Sequence, residues 1–547
     1  MNTPVLRYSL SMPDSNTTKI GRAAAVMMAS VFLSRILGYA RDAVIAYQHG
    51  ATPSTDAYFA AFTIPDFLNY LLAGGSLSIT FIPIFSRYLA EGKENEGFKA
   101  FSTIATVMGA AMIIFIVLGE VFAEKIIVVI APGFSPEQTV LAARLTRIIL
   151  PAQIFFYLGG LLMAIQYARK EFFLPALAPL IYNAGIITGG LLGGRQHGMA
   201  GFAFGVVAGA FLGNFALQLY GARRGGLVFK PRFDLSNPAL WEFIRLSIPI
   251  MLGFSLVVVD EWTLRVLGSF LVAGSITWLN NARRLMMVPV GILGHASGVA
   301  SYPFLAELMA NDKKKEMWET LSSTLRWVFF VSAGVGAMAF ALSPESILLV
   351  YKRGAFQMED TIRTASALSA FAIGIPFWCS QAIVSRGFFA MKDTWTPTIV
   401  GTVAWAVALP VYYLLHRTHG VFGLALASTV GIFLSAGALY AILMRRTVGK
   451  NGLSHLPEYG KMALSAILAT AAGTYALRAT EQLIPWDTFA GSLTRLMAGA
   501  AFVAIIYSLA AFLLGCRTIR EIRRKENLLR PPSKTPGVDG TEKSGTE

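Results

Sequence analysis

Runs of about 20 predominantly apolar residues follow one another along almost the whole chain, and only helices that close their own backbone hydrogen bonds can carry such runs through a bilayer. They begin near residues 20, 55, 101, 140, 174, 199, 239, 274, 321, 361, 395, 420, 459 and 489, about fourteen in all. Of the 547 residues, 55% are hydrophobic and 14% charged, which is more apolar surface than a soluble core can hide. The expected fold is an all-α polytopic membrane protein. The first run is longer than the core of a signal peptide, holds Arg35, Arg41 and Asp42, and follows a polar segment, so it is expected to stay in the mature protein.

A net charge of +15 invites a nucleic-acid reading, but the cations fall in alternate loops, as the positive-inside rule requires. Arg87, Lys93 and Lys99 follow the second run, Arg169 and Lys170 the fourth, and Arg223, Arg224, Lys230 and Arg232 the sixth. Lys313 to Lys315, Arg445, Arg446, Lys450 and the tail from Arg517 to Lys534 continue the series. Both termini are thus expected in the cytoplasm, and no nucleic-acid partner is expected. Cys379 and Cys516 sit in or beside apolar runs with no metal-ligand spacing, and read as inert thiols.

An internal repeat organises the runs. Lys170, Pro175, Arg195, His197, Gly198 and Gly201 recur as Lys392, Pro397, Arg417, His419, Gly420 and Gly423 at an offset of 222 residues, and Gly74 and Pro83 recur as Gly294 and Pro303 at 220. Two six-helix copies with an even number of spans each enter the membrane from the same side, so they are parallel and face one another across a central cavity. The expected division is a tail over 1–19, a first lobe over 20–222, a second over 239–446, an extra helix pair over 459–515, and a basic, disordered tail over 516–547.

Within the first run, Arg35 lies roughly fifteen residues from either end, about 22 Å at about 1.5 Å per residue, too deep to snorkel. A charge at that depth costs at least about 2.5 to 3.5 kcal/mol unless the helix faces water or a partner. Gly38 and Asp42 fall at i+3 and i+7 on the same face, so one stripe carries a cation, a gap and an anion. In the eighth run, Arg283 and Arg284 precede Pro289, whose missing N–H frees a carbonyl one turn back, and a kink beside two cations reads as a gate or as a packing bend. Gly291, Gly294 and Gly298 continue that helix as close-packing positions.

Ser34 to Asp42, Thr55 to Phe59, Ala131 to Phe134, Pro175 to Asn183, Ala282 to Pro289 and Arg386 to Pro397 together resemble the MurJ (MviN) lipid II flippases, relatives of the MATE exporters and Wzx polysaccharide flippases. The resemblance spans nearly all the runs. It implies alternating access that carries lipid II, an undecaprenyl-diphosphate-linked peptidoglycan precursor, to the outer leaflet of a bacterial cytoplasmic membrane, without catalysis, metal or cofactor. By resemblance, the substrate-binding set falls on Arg35, Arg41 and Arg284, with Asp42 and Asp56 as family acids; Gly38 and Pro289 are taken as gating positions. The chemistry fits, since arginine's planar fork binds phosphate bidentately. Membrane lipids and other cell-wall synthesis proteins are the further partners implied.

Two departures stand out. Where many relatives carry a second-span arginine, this chain has Asn69 and Tyr70, and Gly74 replaces a family acid. Arg283 either does the absent arginine's work or points away and pairs with an acid elsewhere, since adjacent residues differ by about 100° around a helix. The seventh span also carries Asp260, Glu261 and Arg265, read either as a coupling-ion site or as a structural pair. The last two spans hold almost no charge beyond Arg495 and are expected to form a groove for the lipid tail. A Wzx-like flippase of another polyprenyl-diphosphate glycan is the rival reading; a MATE-type cation exporter fits less well, because arginines repel its substrate.

Overall fold

The computed structural model describes residues 16–69, 76–252, 256–449 and 456–519. Among these residues there are helices and no strands. In chain order they are α1 (Asn16–His49), α2 (Pro53–Ala61), α3 (Thr63–Leu68), α4 (Ser76–Ala90), α5 (Glu94–Val121), α6 (Ala123–Ile130), α7 (Pro136–Ile149), α8 (Ala152–Ala168), α9 (Phe173–His197), α10 (Met199–Gly209) and, after a π-helical stretch, α11 (Leu217–Arg224). The second half holds α12 (Pro238–Leu252), α13 (Leu256–Gly268), α14 (Ser275–Pro289), a π-helical Val290–His295, α15 (Ala296–Ala310), α16 (Lys314–Ala341), α17 (Ser343–Tyr351), α18 (Met358–Ala390), α19 (Trp395–Thr447), α20 (Leu456–Ala479) and α21 (Phe489–Leu513). Ten helical runs among the described residues are long and apolar enough to cross a membrane. One of them, α19, spans the eleventh and twelfth expected runs across a break at Gly420 (φ 54°, ψ −128°). Residues 70–75 of the second expected run and 253–255 of the seventh lie outside the described residues. Tyr70, Gly74 and most of the two expected tails lie outside the described residues.

The repeat is written into the backbone. Lys170 and Lys392 both take positive φ, 64° and 59°, a conformation rare outside glycine, and Gly198 repeats as Gly420 with φ 57° and 54°. Gly92 and Asp312 do the same at the shorter offset, with φ 70° and 54°. Each turn therefore reverses the chain at the same place in both copies.

Packing divides the chain slightly differently from its repeat. Ala239, Leu240 and Phe243 of α12 join the first half's core with Phe81, Phe85 and Phe101, whereas α13 packs on α19 in the second half. The reason is the linker before α12, which runs along α5: the Lys230 amide donates to Ser102 Oγ at 3.2 Å and the Arg232 amide to Thr106 Oγ1 at 3.2 Å. Beyond the repeat, α20 and α21 pack on α16 and α17, and the buried Arg495 donates through Nε to Glu345 Oε1 at 2.8 Å.

The two halves meet at one end of the bundle. There the Ala355 amide donates to Tyr47 O at 2.8 Å and Gly133 N to Ser269 Oγ at 3.0 Å. Toward the other end α1 leans on α9, and Met28, Phe32, Arg35 and Ile36 stay exposed. The bundle is sealed at the end carrying the α1–α2 and α13–α14 turns and splayed at the opposite one.

Candidate substrate-binding site

A cavity of about 170 Å³ lies between the halves, behind the sealed end. α1 contributes Arg41 and Asp42, α14 contributes Arg284, and Asp66 of α3 meets Glu261 and Arg265 of α13. Asp42 is almost wholly buried and stands between a cation from each half: Arg41 Nε lies 3.0 Å from Oδ1 and Arg284 Nη1 2.8 Å from Oδ2. Arg41 Nη1 also donates to Asn183 Oδ1 at 3.2 Å, and Tyr39 OH donates to the Arg284 carbonyl at 3.2 Å. Arg265 donates to Glu261 Oε1 at 2.6 Å, to Asp66 Oδ2 at 3.3 Å and to Thr63 Oγ1 at 2.8 Å. The wall thus carries three arginines and three carboxylates and is formally neutral. Of the expected residues the structure brings Arg41, Asp42 and Arg284 together, and Asp66, Glu261 and Arg265 belong to the same cavity.

The remaining expected residues sit elsewhere. Asp56 does not line the cavity; it caps α14, accepting from Gly274 N at 2.6 Å, Thr277 N at 2.8 Å and Thr277 Oγ1 at 2.6 Å, so one carboxylate satisfies the orphan donors of a helix on the opposite half. Arg283 points away from Arg284, into the second half, where it pairs with Asp260 and lies 5.4 Å over the Trp378 ring. Asp260 also accepts from Tyr412 OH and, at 3.0 Å, from Ser428 Oγ. Of the two alternatives open for Arg283, pairing with an acid is the one seen here. Asn69 closes α3 and is not on the cavity wall. A Cβ at Gly38 would meet no atom within 4 Å, and Pro289 ends α14 where the π-helical stretch begins, as expected for a proline that removes a ladder bond. Arg35 lies outside this cavity, against Gly291 of that stretch.

Two apolar grooves flank the second half. One of about 660 Å³ runs between α16, α18 and α20, and one of about 430 Å³ between α14, α16, α18 and α21, with Pro289 on its wall.

Two repeated helical halves around a polar cavity, with two appended helices, define an all-helical membrane transporter of the kind shared by flippases and drug exporters. The fold agrees with solved structures. A protein described as lipid II flippase MurJ in an inward closed conformation aligns over 91% of this chain and 100% of its own with a TM-score of 0.73 at 24% identity, and a multidrug resistance MATE family transporter over 77% and 98% with 0.63 at 14%. In sequence, the lipid II flippase MurJ family matches residues 45–497, and the chain belongs to that family. Similar relatives are probable lipid II flippases of Buchnera aphidicola subsp. Baizongia pistaciae, 30% identical over 74% of this chain and 80% of the relative, and of Thermotoga maritima, 29% identical over 90% and 96%.

Proposed function

We propose that this protein carries lipid II from the inner to the outer leaflet of the bacterial cytoplasmic membrane by rocking its two halves. The observation that carries this reading, in a chain of this family, is one buried carboxylate, Asp42, held between Arg41 of the first half and Arg284 of the second. A diphosphate brings about two negative charges and offers each guanidinium a bidentate partner, so it can take both arginines from Asp42 and join the halves around itself. The apolar grooves beside α20 and α21 support a path for the polyprenyl tail, which then never leaves an apolar surrounding. Outward transfer of an anion is favoured by an inside-negative potential, at about 2.3 kcal/mol per charge per 100 mV. Asp260 and Glu261 are committed to Arg283 and Arg265, which favours the structural alternative over a coupling-ion site. The cation pattern of the loops supports cytoplasmic termini, and other cell-wall synthesis proteins are the further partners this reading implies.

Expression of this chain in a strain depleted of its own lipid II flippase should restore growth. A protein that reaches the membrane and leaves the strain arrested would overturn the lipid II reading in favour of another polyprenyl-diphosphate glycan.

A further inference from the structure

The cavity behind the seal is formally neutral, yet a substrate headgroup must first enter the splayed end as an anion. The cations that face it there are different ones. α14, the π-helical stretch and α15 form one continuous helix whose Gly291, His295, Gly298 and Tyr302 follow at intervals of three or four residues, a single stripe. Arg35 of α1 lies against Gly291, where a Cβ would collide with its guanidinium. Arg386 of α18 lies against Gly298, where a Cβ would touch its Cγ at 3.5 Å, and its guanidinium stands 6.0 Å from the Tyr302 ring centre and 5.6 Å from that of Phe389. His295 is on the stripe between the two arginines, within electrostatic reach of both. Among the described residues no carboxylate forms an ion pair with Arg35, His295 or Arg386.

Helix arithmetic puts these groups in order. Counting at about 1.5 Å per residue from the sealed ends of their own helices, Arg41 and Arg284 lie about 12 and 14 Å deep, Arg35 about 21 Å, His295 about 30 Å and Arg386 about 42 Å. Three helices thus agree on a line of cations running from the splayed end to the cavity.

We infer that Arg35, His295 and Arg386 form a separate entry site for the diphosphate of a polyprenyl-linked substrate, occupied before the headgroup reaches Arg41 and Arg284. The inference rests on the lipid-flipping reading above and adds His295 and Arg386 to it. The two sites divide the work: the entry site attracts, because no carboxylate among the described residues neutralises it, and the inner site exchanges Asp42 for phosphate. Aromatic faces under Arg386 hold its guanidinium in place without cancelling its charge.

The test uses the purified full chain in phosphatidylcholine nanodiscs with farnesyl diphosphate as probe, read by calorimetry. His295→Gln and Arg386→Gln should each weaken binding about fivefold or more, Arg386→Lys should recover part of the loss, and unchanged thermal unfolding should accompany all three. Phosphatidylglycerol at one third of the disc lipid should leave wild-type binding within about twofold. If both Gln variants bind as wild type while Arg284→Gln binds weakly, the entry site is overturned and the flippase reading stands. If phosphatidylglycerol abolishes binding, the cluster holds ordinary lipid headgroups and the inference is again overturned. A wild-type protein that binds no polyprenyl diphosphate at all overturns both.

Discussion

The ion pair that joins the two halves and the ion pair enclosed in the second half use the same residue types, yet a rocking motion treats them oppositely. Asp42 on α1 and Arg284 on α14 belong to different halves, so their 2.8 Å contact has to be remade whenever the halves move. Asp260 and Arg283 both pack within the second half, closed in by Tyr412, Ser428 and Trp378, and travel together. Adjacent arginines on one helix thus have different work, one exchangeable and one structural. Counting arginines in a span overstates the charge available to a substrate. What matters is whether the partner carboxylate lies on the same rigid body.

That contrast predicts opposite failures. Arg284→Ala leaves Asp42 still paired with Arg41, so the protein should reach the membrane at normal levels and yet lose its ability to rescue a flippase-depleted strain. Arg283→Ala instead strands the buried Asp260, and breaking such a pair costs about 3 to 5 kcal/mol. Its membrane level and unfolding temperature should fall steeply. Removing both charges with Arg283→Met and Asp260→Leu should recover level and rescue together, whereas Asn69→Arg should recover neither. Rescue by Asn69→Arg would return Arg283 to the substrate and erase the distinction.

Much of this architecture is legible in the sequence because it is local. The starts of the apolar runs fall close to the described helix starts, and the recurrence of Lys170 as Lys392 and Gly198 as Gly420 marks two turns of equal geometry. Arg41, Asp42 and Arg284 stand out because a charge in an apolar run needs a partner. Other features depend on contacts distant in sequence. Asp56 reads as one more acid in the second span, and nothing nearby announces that it caps a helix beginning 218 residues later at Gly274. The attachment of α12 to the first half follows from the course of the linker along α5, which no periodicity records. His295 and Arg386 escape notice because a histidine adds no charge to a formal count and an arginine near the end of a span passes for a topology signal; the stripe linking them to Arg35 exists only once α1 is set beside the π-helical stretch.

The seal at the other end gives a smaller way to separate bonds between halves from bonds within them. The carboxylate of Asp56 binds two amides and a hydroxyl of the opposite half, and losing a cap of this kind costs about 1 kcal/mol. Asp56→Ala should therefore shift the equilibrium toward opening at this end by about fivefold, since 1.4 kcal/mol is a factor of ten. A cysteine in place of Asn280, on the cavity wall, reports it through its labelling rate with an impermeant thiol reagent added outside. Cys379 and Cys516 are buried and contribute little background. An unchanged rate would mean that the cap holds α14 in shape without holding the halves together.

The smallest effect should come from Gly291, where the two halves touch through a single side chain. An added methyl there meets the far end of Arg35, which is flexible and can swing aside, so Gly291→Ala should leave the protein stable. It should nevertheless move the guanidinium off the stripe shared with His295 and weaken farnesyl diphosphate binding by about two- to threefold, roughly 0.4 to 0.7 kcal/mol. Because this loss acts through Arg35, it should vanish in an Arg35→Ala background; contacting residues couple in such a cycle, while independent ones add. Additive losses would show that the methyl disturbs the π-helical stretch itself, and the contact between Arg35 and Gly291 would then be a consequence of how the halves pack rather than part of the path into the cavity.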